Sequence, residues 1–420
     1  MKMLALTMLA SAVGATASIA AAAPPETTVI HAGHLIVEAG RPVLQNQSIV
    51  IENGKVKEIK SGFVAGTTVI ELRDSWVMPG LIDMHTHVSG ELNLDEPTAG
   101  QIALAYLGRK DEQVLSELPR VNALLMGGFT SIRNVGDPTG TTYALRDAIN
   151  RGDVAGPRMF AIEPQISMDG GDFDASQWRV LSEVEKYVEG RGNCTGVVEC
   201  TKVVRKEINR GADVIKLRQS SQTMFDPKVK MIENEDEIKA VINTAHKLDR
   251  KVAVHVNGSP EFLHMVIADG ADTIEHGPLD DESIALMKQH GTAFTPTLLA
   301  AKLVMPELLG VALEGAGKAY RAGVPIIFGT DLGIFGTKRS HEEFGLLAEA
   351  GLPPAQVLRA ATMNAATALG RGDSLGSIAD GKLADVIAMK SDPYAKIDQL
   401  GDPEKISFVM KEGRVYKDRR

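Results

Sequence analysis

An α/β chain built as a (β/α)8 barrel, with a small β-sandwich assembled from its two ends, is the fold that three features of these 420 residues predict. Short apolar runs recur through the middle of the chain with helical patterns between them, which is how βα units around a parallel sheet read. Strand-like segments with tight-turn signals flank that region on both sides. Titratable residues fall at the ends of the apolar runs, where such a barrel carries its chemistry.

The N-terminus is an address rather than part of the fold. Lys2 precedes an apolar run over Met3–Ala12 and small residues up to Ala20-Ala-Ala-Ala23-Pro24, the three zones of a secretory signal. Residues 1–23 are therefore expected to be a signal peptide cut between Ala20 and Ala23, with the protein secreted or periplasmic. The apolar stretch is short and alanine-rich for a membrane span, so no membrane insertion is expected after signal removal.

Residues 24–77 read as the first part of the sandwich. Thr28–Ile30, Val43–Ile51 and Lys55–Ile59 alternate roughly between apolar and polar, and Asn53-Gly54 is a two-residue hairpin signal. The barrel then takes residues 78–371. Its expected strands are Gly80–His87, Thr130–Asn134, Arg158–Ile162, Val214–Leu217, Val252–Val256, Thr273–His276, Ala293–Thr297 and Pro325–Gly329. Residues 372–420 return to the β style in Asp385–Met389 and Ile406–Tyr416, the latter turning at Glu412-Gly413. Neither end has enough apolar surface for a core of its own, so the two are expected to pair.

A chain that is 44% hydrophobic and 24% charged can bury a large core, and a net charge of −9 without any block of like charge excludes a nucleic-acid or anionic-membrane surface. The expected partner is a small molecule. Cys194 and Cys200 are the only cysteines and have no further soft ligands beside them. In an oxidising compartment they read as a disulfide that staples a surface loop.

The chemistry begins with His85 and His87 in Val77-Met-Pro-Gly-Leu-Ile-Asp-Met-His-Thr-His-Val88. Residues two apart on a strand point the same way, so Leu81, Asp83, His85 and His87 share one face and two imidazoles reach one point. The other strand ends add Lys216, His255, His276 and Asp331. A buried core would not gather four histidines, a lysine and an aspartate on one rim, since each needs a partner; a metal centre supplies it. His341, in Ser340-His-Glu-Glu343, reads as a helix N-terminal surface residue and His290, before Gly291, as a helix C-terminal one.

In order, Pro79-Gly-Leu-Ile-Asp-Met-His-Thr-His87, Gly211-Ala-Asp-Val-Ile-Lys216, Val254-His255, Ile274-Glu-His-Gly277, Gly329-Thr-Asp331 and Gly381-Lys-Leu-Ala-Asp385 resemble the motifs of the amidohydrolase superfamily. With Leu145-Arg-Asp-Ala-Ile149 and Gly156-Pro-Arg158, the lysine segment is most similar to the prolidase-like branch, which includes Xaa-Pro dipeptidases and the amidases that split ochratoxin. The resemblance covers nearly all of the mature chain. It implies two divalent metal ions, zinc by preference: His85, His87 and Asp331 on one, His255 and His276 on the other, and Lys216 bridging both as a carbamate derived from carbon dioxide. An ammonium cannot ligate a cation, whereas a carbamate between two cations is held there electrostatically. Asp331 and Lys216 are thus the implied catalytic residues, with a metal-bridging hydroxide as nucleophile and Asp331 passing its proton to the leaving amine. Relatives of this kind often form homo-oligomers.

The implied reaction is metal-dependent hydrolysis of a C–N amide or peptide bond in a small substrate, a dipeptide such as Xaa-Pro or an N-acyl amino acid such as an ochratoxin-type amide. A carboxylate beside the scissile bond calls for a cationic or hydroxyl clamp, for which Arg218 and Tyr143 are the candidates. Ile166-Ser-Met-Asp-Gly-Gly-Asp172 places Asp172 where relatives often carry a histidine after two glycines, a departure that bears on the substrate. Two other readings stand beside this one. A cyclic amide or lactone hydrolase of imidazolonepropionase-like type shares much of the motif set, and a non-catalytic scaffold would have lost its ligands, of which all six are present.

Overall fold

The computed structural model describes residues 27–89, 108–137, 139–171, 192–219, 231–256, 259–333, 336 and 339–420. The expected signal peptide and Asp172 lie outside the described residues.

Both ends of the chain enter one seven-stranded sheet. It holds β1 (Thr28–Leu35), β2 (Leu44–Glu52), β3 (Lys55–Ser61), β4 (Thr68–Pro79), β14 (Val386–Met389), β15 (Ile406–Lys411) and β16 (Arg414–Asp418), in the order β16-β15-β14-β4-β1-β2-β3. The long β4 joins the halves: it runs parallel to β1, with Ile30 opposite Ile70, and antiparallel to β14, with Met78 opposite Ile387. The expected two-sheet sandwich is therefore one hydrogen-bonded sheet whose arms share an apolar cluster, with Ile49 and Ile51 from one arm and Phe408 and Met410 from the other. Both hairpins turn through two residues of positive φ, Asn53 (51°) with Gly54 (75°) and Glu412 (51°) with Gly413 (76°), the geometry that suits strand twist. The turns abut, and a Cβ on Gly54 would lie 2.8 Å from the Glu412 carbonyl oxygen.

The middle of the chain forms two parallel sheets. One contains β5 (Leu81–Thr86), β6 (Phe129–Val135) and β7 (Arg158–Ile162); the other contains β10 (Val214–Arg218), β11 (Lys251–His255), β12 (Thr273–Glu275) and β13 (Ala293–Thr295). All six residues of β5 and all seven of β6 are buried, as strands covered on both faces must be. The short pair β8 (Ser167–Met168) and β9 (Asn193–Cys194) lies between the sheets in sequence. Helices α1 (Lys110–Met126), α2 (Thr142–Arg151), α3 (Gly196–Arg210), α4 (Glu235–Lys247), α5 (Pro260–Ala268) and α6 (Asp281–His290) lie between successive strands, and α7 (Leu298–Val304), α8 (Leu309–Ala322) and α9 (Glu342–Glu349) follow β13 in turn.

Scattered bonds, not ladders, link the two sheets. Asp213 N–H donates to the Ala161 carbonyl at 2.9 Å and Ile166 bridges Leu217, while on the far side Phe294 bridges Ile326 and Thr86 bridges Leu332. The expected eighth strand, Pro325–Gly329, is therefore not a strand. Pro325 has no N–H, and the Phe328 N–H is spent on the Ala360 carbonyl at 3.1 Å. Four other strands end earlier than expected: β5 at Thr86 and β11 at His255, each one residue short, while β12 stops before His276 (φ 62°) and β13 before Pro296 and Thr297 (φ 48°), where the backbone turns away.

Cys194 and Cys200 are disulfide-bonded, with Cα atoms 5.1 Å apart. Neither sits on a surface loop. Both are fully buried, because Cys200 belongs to the inward face of α3 with Val203 and Val204 and the sulfurs pack against Met168. His290 is the last residue of α6 and His341 directly precedes α9.

Candidate metal centre

The C-terminal ends of the parallel strands bring the titratable residues together. His85 lies within β5 and His87 just past it; their Nε2 atoms are 3.4 and 3.3 Å from the same oxygen, Asp331 Oδ1. His276 Nε2 is 3.9 Å from Asp331 Oδ2. One ligand atom from each of His85, His87 and Asp331 falls within 4.8 Å of the others, a spacing able to hold an ion. His255 ends β11 with its ring centroid 4.8 Å from that of His276, which in turn is 4.6 Å from that of His85.

The far nitrogens decide which way the rings act. His85 Nδ1 is 2.7 Å from Glu275 Oε2 and His87 Nδ1 is 3.1 Å from the Gly136 carbonyl oxygen. A carboxylate and a carbonyl can only accept, so both rings carry their proton at Nδ1 and turn a bare Nε2 toward Asp331. His276 Nδ1 meets the Thr297 hydroxyl. Burial holds His85 well below the usual histidine range and lowers His276 to about 4, which keeps both rings neutral.

Lys216 lies in β10, is 1% exposed, and its Nζ has no hydrogen-bond partner among the described residues. Burial lowers its pKa to about 7 against the pull of Glu275 and Asp331, both within electrostatic reach. Glu275 is itself fully buried and holds the centre of a network. Arg133 Nη2 donates to its Oε1 at 2.6 Å, Arg133 Nη1 donates to Thr273 Oγ1 at 2.9 Å, and Thr273 in turn donates to Glu275. Burial pushes Glu275 up; Arg133 and Lys216 bring it below its ordinary value.

Backbone packing places the ligands as closely as the side chains do. Asp83 accepts from His85 N–H at 3.1 Å, Thr330 N–H at 3.2 Å and the Thr330 hydroxyl at 2.7 Å, which ties β5 to the Gly329-Thr-Asp331 segment. A Cβ on Gly329 would lie 2.9 Å from His85 Cβ and 2.4 Å from Thr295 Cγ2, so only glycine lets Asp331 come this near.

The remaining described candidates, Arg218 and Tyr143, differ in where they lie. Arg218 ends β10, opposite His255 in register, at the rim and partly exposed. Tyr143 is buried on α2, its hydroxyl accepts from Glu163 N–H at 3.3 Å, and its ring is covered by Arg146, so its polar group is already engaged inside the scaffold. Glu275 and Arg133 were not singled out as functional from sequence. Glu275 adjoins His276 in a quoted motif, whereas Arg133 lies in Phe129-Thr-Ser-Ile-Arg-Asn-Val135, whose mixed polarity does not announce a buried ion pair.

The Amidohydrolase family model matches residues 76–416. A crystal structure of a Xaa-Pro dipeptidase with bound methionine superposes with a TM-score of 0.82 at 31% identity, covering 93% of this chain and 100% of that one. Ochratoxinase of Aspergillus niger is 27% identical over 438 residues, covering 95% of this chain and 88% of its own length. Imidazolonepropionase of Thermoplasma volcanium is 21% identical over 392 residues, covering 90% of this chain and 92% of its own. With the motifs at the strand ends and a family match that spans most of its length, this chain belongs to the amidohydrolase family.

Proposed function

We propose that the protein is an exported, metal-dependent hydrolase that splits a C–N amide bond in a small substrate bearing a carboxylate beside that bond, a Xaa-Pro dipeptide or an N-acyl amino acid of the ochratoxin type. Lys216 carries the reading. A buried amine without a hydrogen-bond acceptor is costly, and the pull of Glu275 and Asp331 does not outweigh its burial. Reaction of its neutral amine with carbon dioxide forms one N–C bond, releases one proton to solvent and turns an orphaned donor into a carboxylate-like ligand. The donor set then fits two divalent ions, zinc first by ligand type: His85, His87 and Asp331 for one, His255 and His276 for the other, and the Lys216 carbamate for both. When bound, such ions polarise the scissile carbonyl and acidify water so that it attacks near neutral pH.

The chain's own residues do the rest. Asp331, held ionised among three histidines, accepts the proton from the attacking water and delivers it to the leaving amine. Arg218, at the rim beside His255, pairs with the substrate carboxylate. A barrel closed by residues 325–329 and assembly into a homo-oligomer belong to the same proposal.

Elemental analysis of the purified protein should give about two zinc ions per chain, and Lys216→Ala should lose metal and activity together, with short carboxylic acids restoring part of both. Full metal and activity in that variant would refute the bridging role. Likeness to imidazolonepropionase supports one other reading, a cyclic amide or lactone hydrolase. Free-acid amides cleaved far faster than their methyl esters favour the first reading; equal cleavage favours the second.

A further inference from the structure

Seven non-glycine residues among those described adopt a left-handed φ, and Thr297 is the only β-branched one, at φ 48° and ψ 50°. That conformation costs on the order of 1–3 kcal/mol and persists only where the surroundings hold it. Here the hold is a buried carboxylate. Glu343, on α9 and fully buried, accepts Leu298 N–H at 3.0 Å with one oxygen and Leu299 N–H at 2.6 Å with the other, the two amides that follow Thr297.

What the turn secures is the direction of one hydroxyl. Thr297 Oγ1 donates to the Pro296 carbonyl at 2.8 Å and lies 2.5 Å from His276 Nδ1. A hydroxyl has a single proton, and with that proton on Pro296 its oxygen can only accept from the imidazole. His276 therefore carries its hydrogen at Nδ1 and presents Nε2 as a lone pair on the side of Asp331, 3.9 Å away. His85 and His87 reach the same state through groups that cannot donate at all, Glu275 and the Gly136 carbonyl. His276 depends on a group that can do either, so its tautomer rests on how Thr297 is turned.

We infer that Thr297 is a positioning residue that sets the tautomer and ring orientation of His276, and that Glu343 acts through it by clamping the left-handed turn. The inference rests on His276 being a metal ligand. It adds that the affinity of one ion of the pair is set by a hydroxyl and a carboxylate that touch neither ion nor substrate.

Thr297→Gly separates this role from a structural one, because glycine relaxes the strain while removing the hydroxyl. Zinc affinity is read by competition against a chromophoric chelator, and the histidine environment by the absorption spectrum of the cobalt(II)-loaded protein. Thr297→Gly should keep its melting temperature and hold one ion about 10–100-fold more weakly, the usual scale for a ligand's outer partner, with a changed cobalt spectrum. Thr297→Ser should restore both. Glu343→Gln, which can accept from only one of the two amides, should weaken the same ion, and adding it to Thr297→Gly should weaken that ion no further. Wild-type affinity in Thr297→Gly, or a Thr297→Ser variant as weak as Thr297→Gly, overturns the role of the hydroxyl; additive losses overturn the route from Glu343. A wild-type protein that binds fewer than two ions overturns the functional reading itself, and this inference with it.

Discussion

Lys216→Met should stabilise the metal-free protein. Burial brings the Lys216 amine from 10.5 down to about 7, and its Nζ has no hydrogen-bond partner among the described residues. The unfolded chain binds that proton up to about pH 10.4 and the folded chain only up to about 7, so between these values the unfolded state holds more protons and stability rises with pH. At pH 7 the lysine therefore withholds about 4–5 kcal/mol that a neutral side chain of similar length would not, at 1.36 kcal/mol per pH unit. For a chain of about 400 residues the unfolding entropy is roughly 0.8 kcal/mol/K, which makes the gain about 5 °C in melting temperature. Calorimetry on chelated protein in carbon-dioxide-free buffer reads it directly. The gap should shrink as pH rises toward about 10.5, above which the lysine becomes neutral in both states. A variant that melts at or below the wild type at pH 7, or a gap that widens with pH, would refute the argument that burial of Lys216 costs more than its neighbours return.

Arg133→Met should cost about 3–5 kcal/mol, because it leaves the buried Glu275 carboxylate without its cation; adding Glu275→Gln should recover part of that loss in a thermal melt, and strictly additive losses would remove the pairing. Gly329→Ala should leave a folded protein about 1–3 kcal/mol less stable but displace His85, against whose Cβ the new methyl would sit at 2.9 Å, so that zinc content falls; unchanged zinc would show that the close approach is not needed.

The candidate ligand set was legible because period-2 alternation and short motifs are local. His85 and His87 can be placed together from the run Gly80–His87, although β5 ends at Thr86, and both hairpin turns from the pairs Asn53-Gly54 and Glu412-Gly413. The groups that orient the ligands were not, since they come from far along the chain: Glu275 is 190 positions from His85, and Arg133 is 142 from Glu275. β4 was hidden by its own charges, Glu71, Arg73 and Asp74, which interrupt the apolar signal of a strand that nonetheless joins the two arms of the sheet. The break at Pro325–Gly329 was readable in principle, because a proline cannot donate to a ladder, but the diversion of the Phe328 N–H to Ala360 depends on tertiary packing.

One economy runs through the site: each device that aims a ligand opposes folding when the ligand has nothing to bind. His276, Thr297 and Asp331 all stand in the left-handed region, at φ 62°, 48° and 60°, the first directly after β12 and the second two residues after β13, where the chain leaves the sheet. Lys216 adds a buried charge and Gly329 a backbone without a side chain to pack. Binding returns what these features cost. Each ion held at 100 times its dissociation constant contributes about 2.7 kcal/mol by mass action, so the two proposed ions would offset about the 5 kcal/mol that Lys216 alone withholds in their absence. Stability and activity in this protein should therefore respond to metal together, while substitutions that firm up the empty site, Lys216→Met first among them, should stabilise the fold and abolish the chemistry.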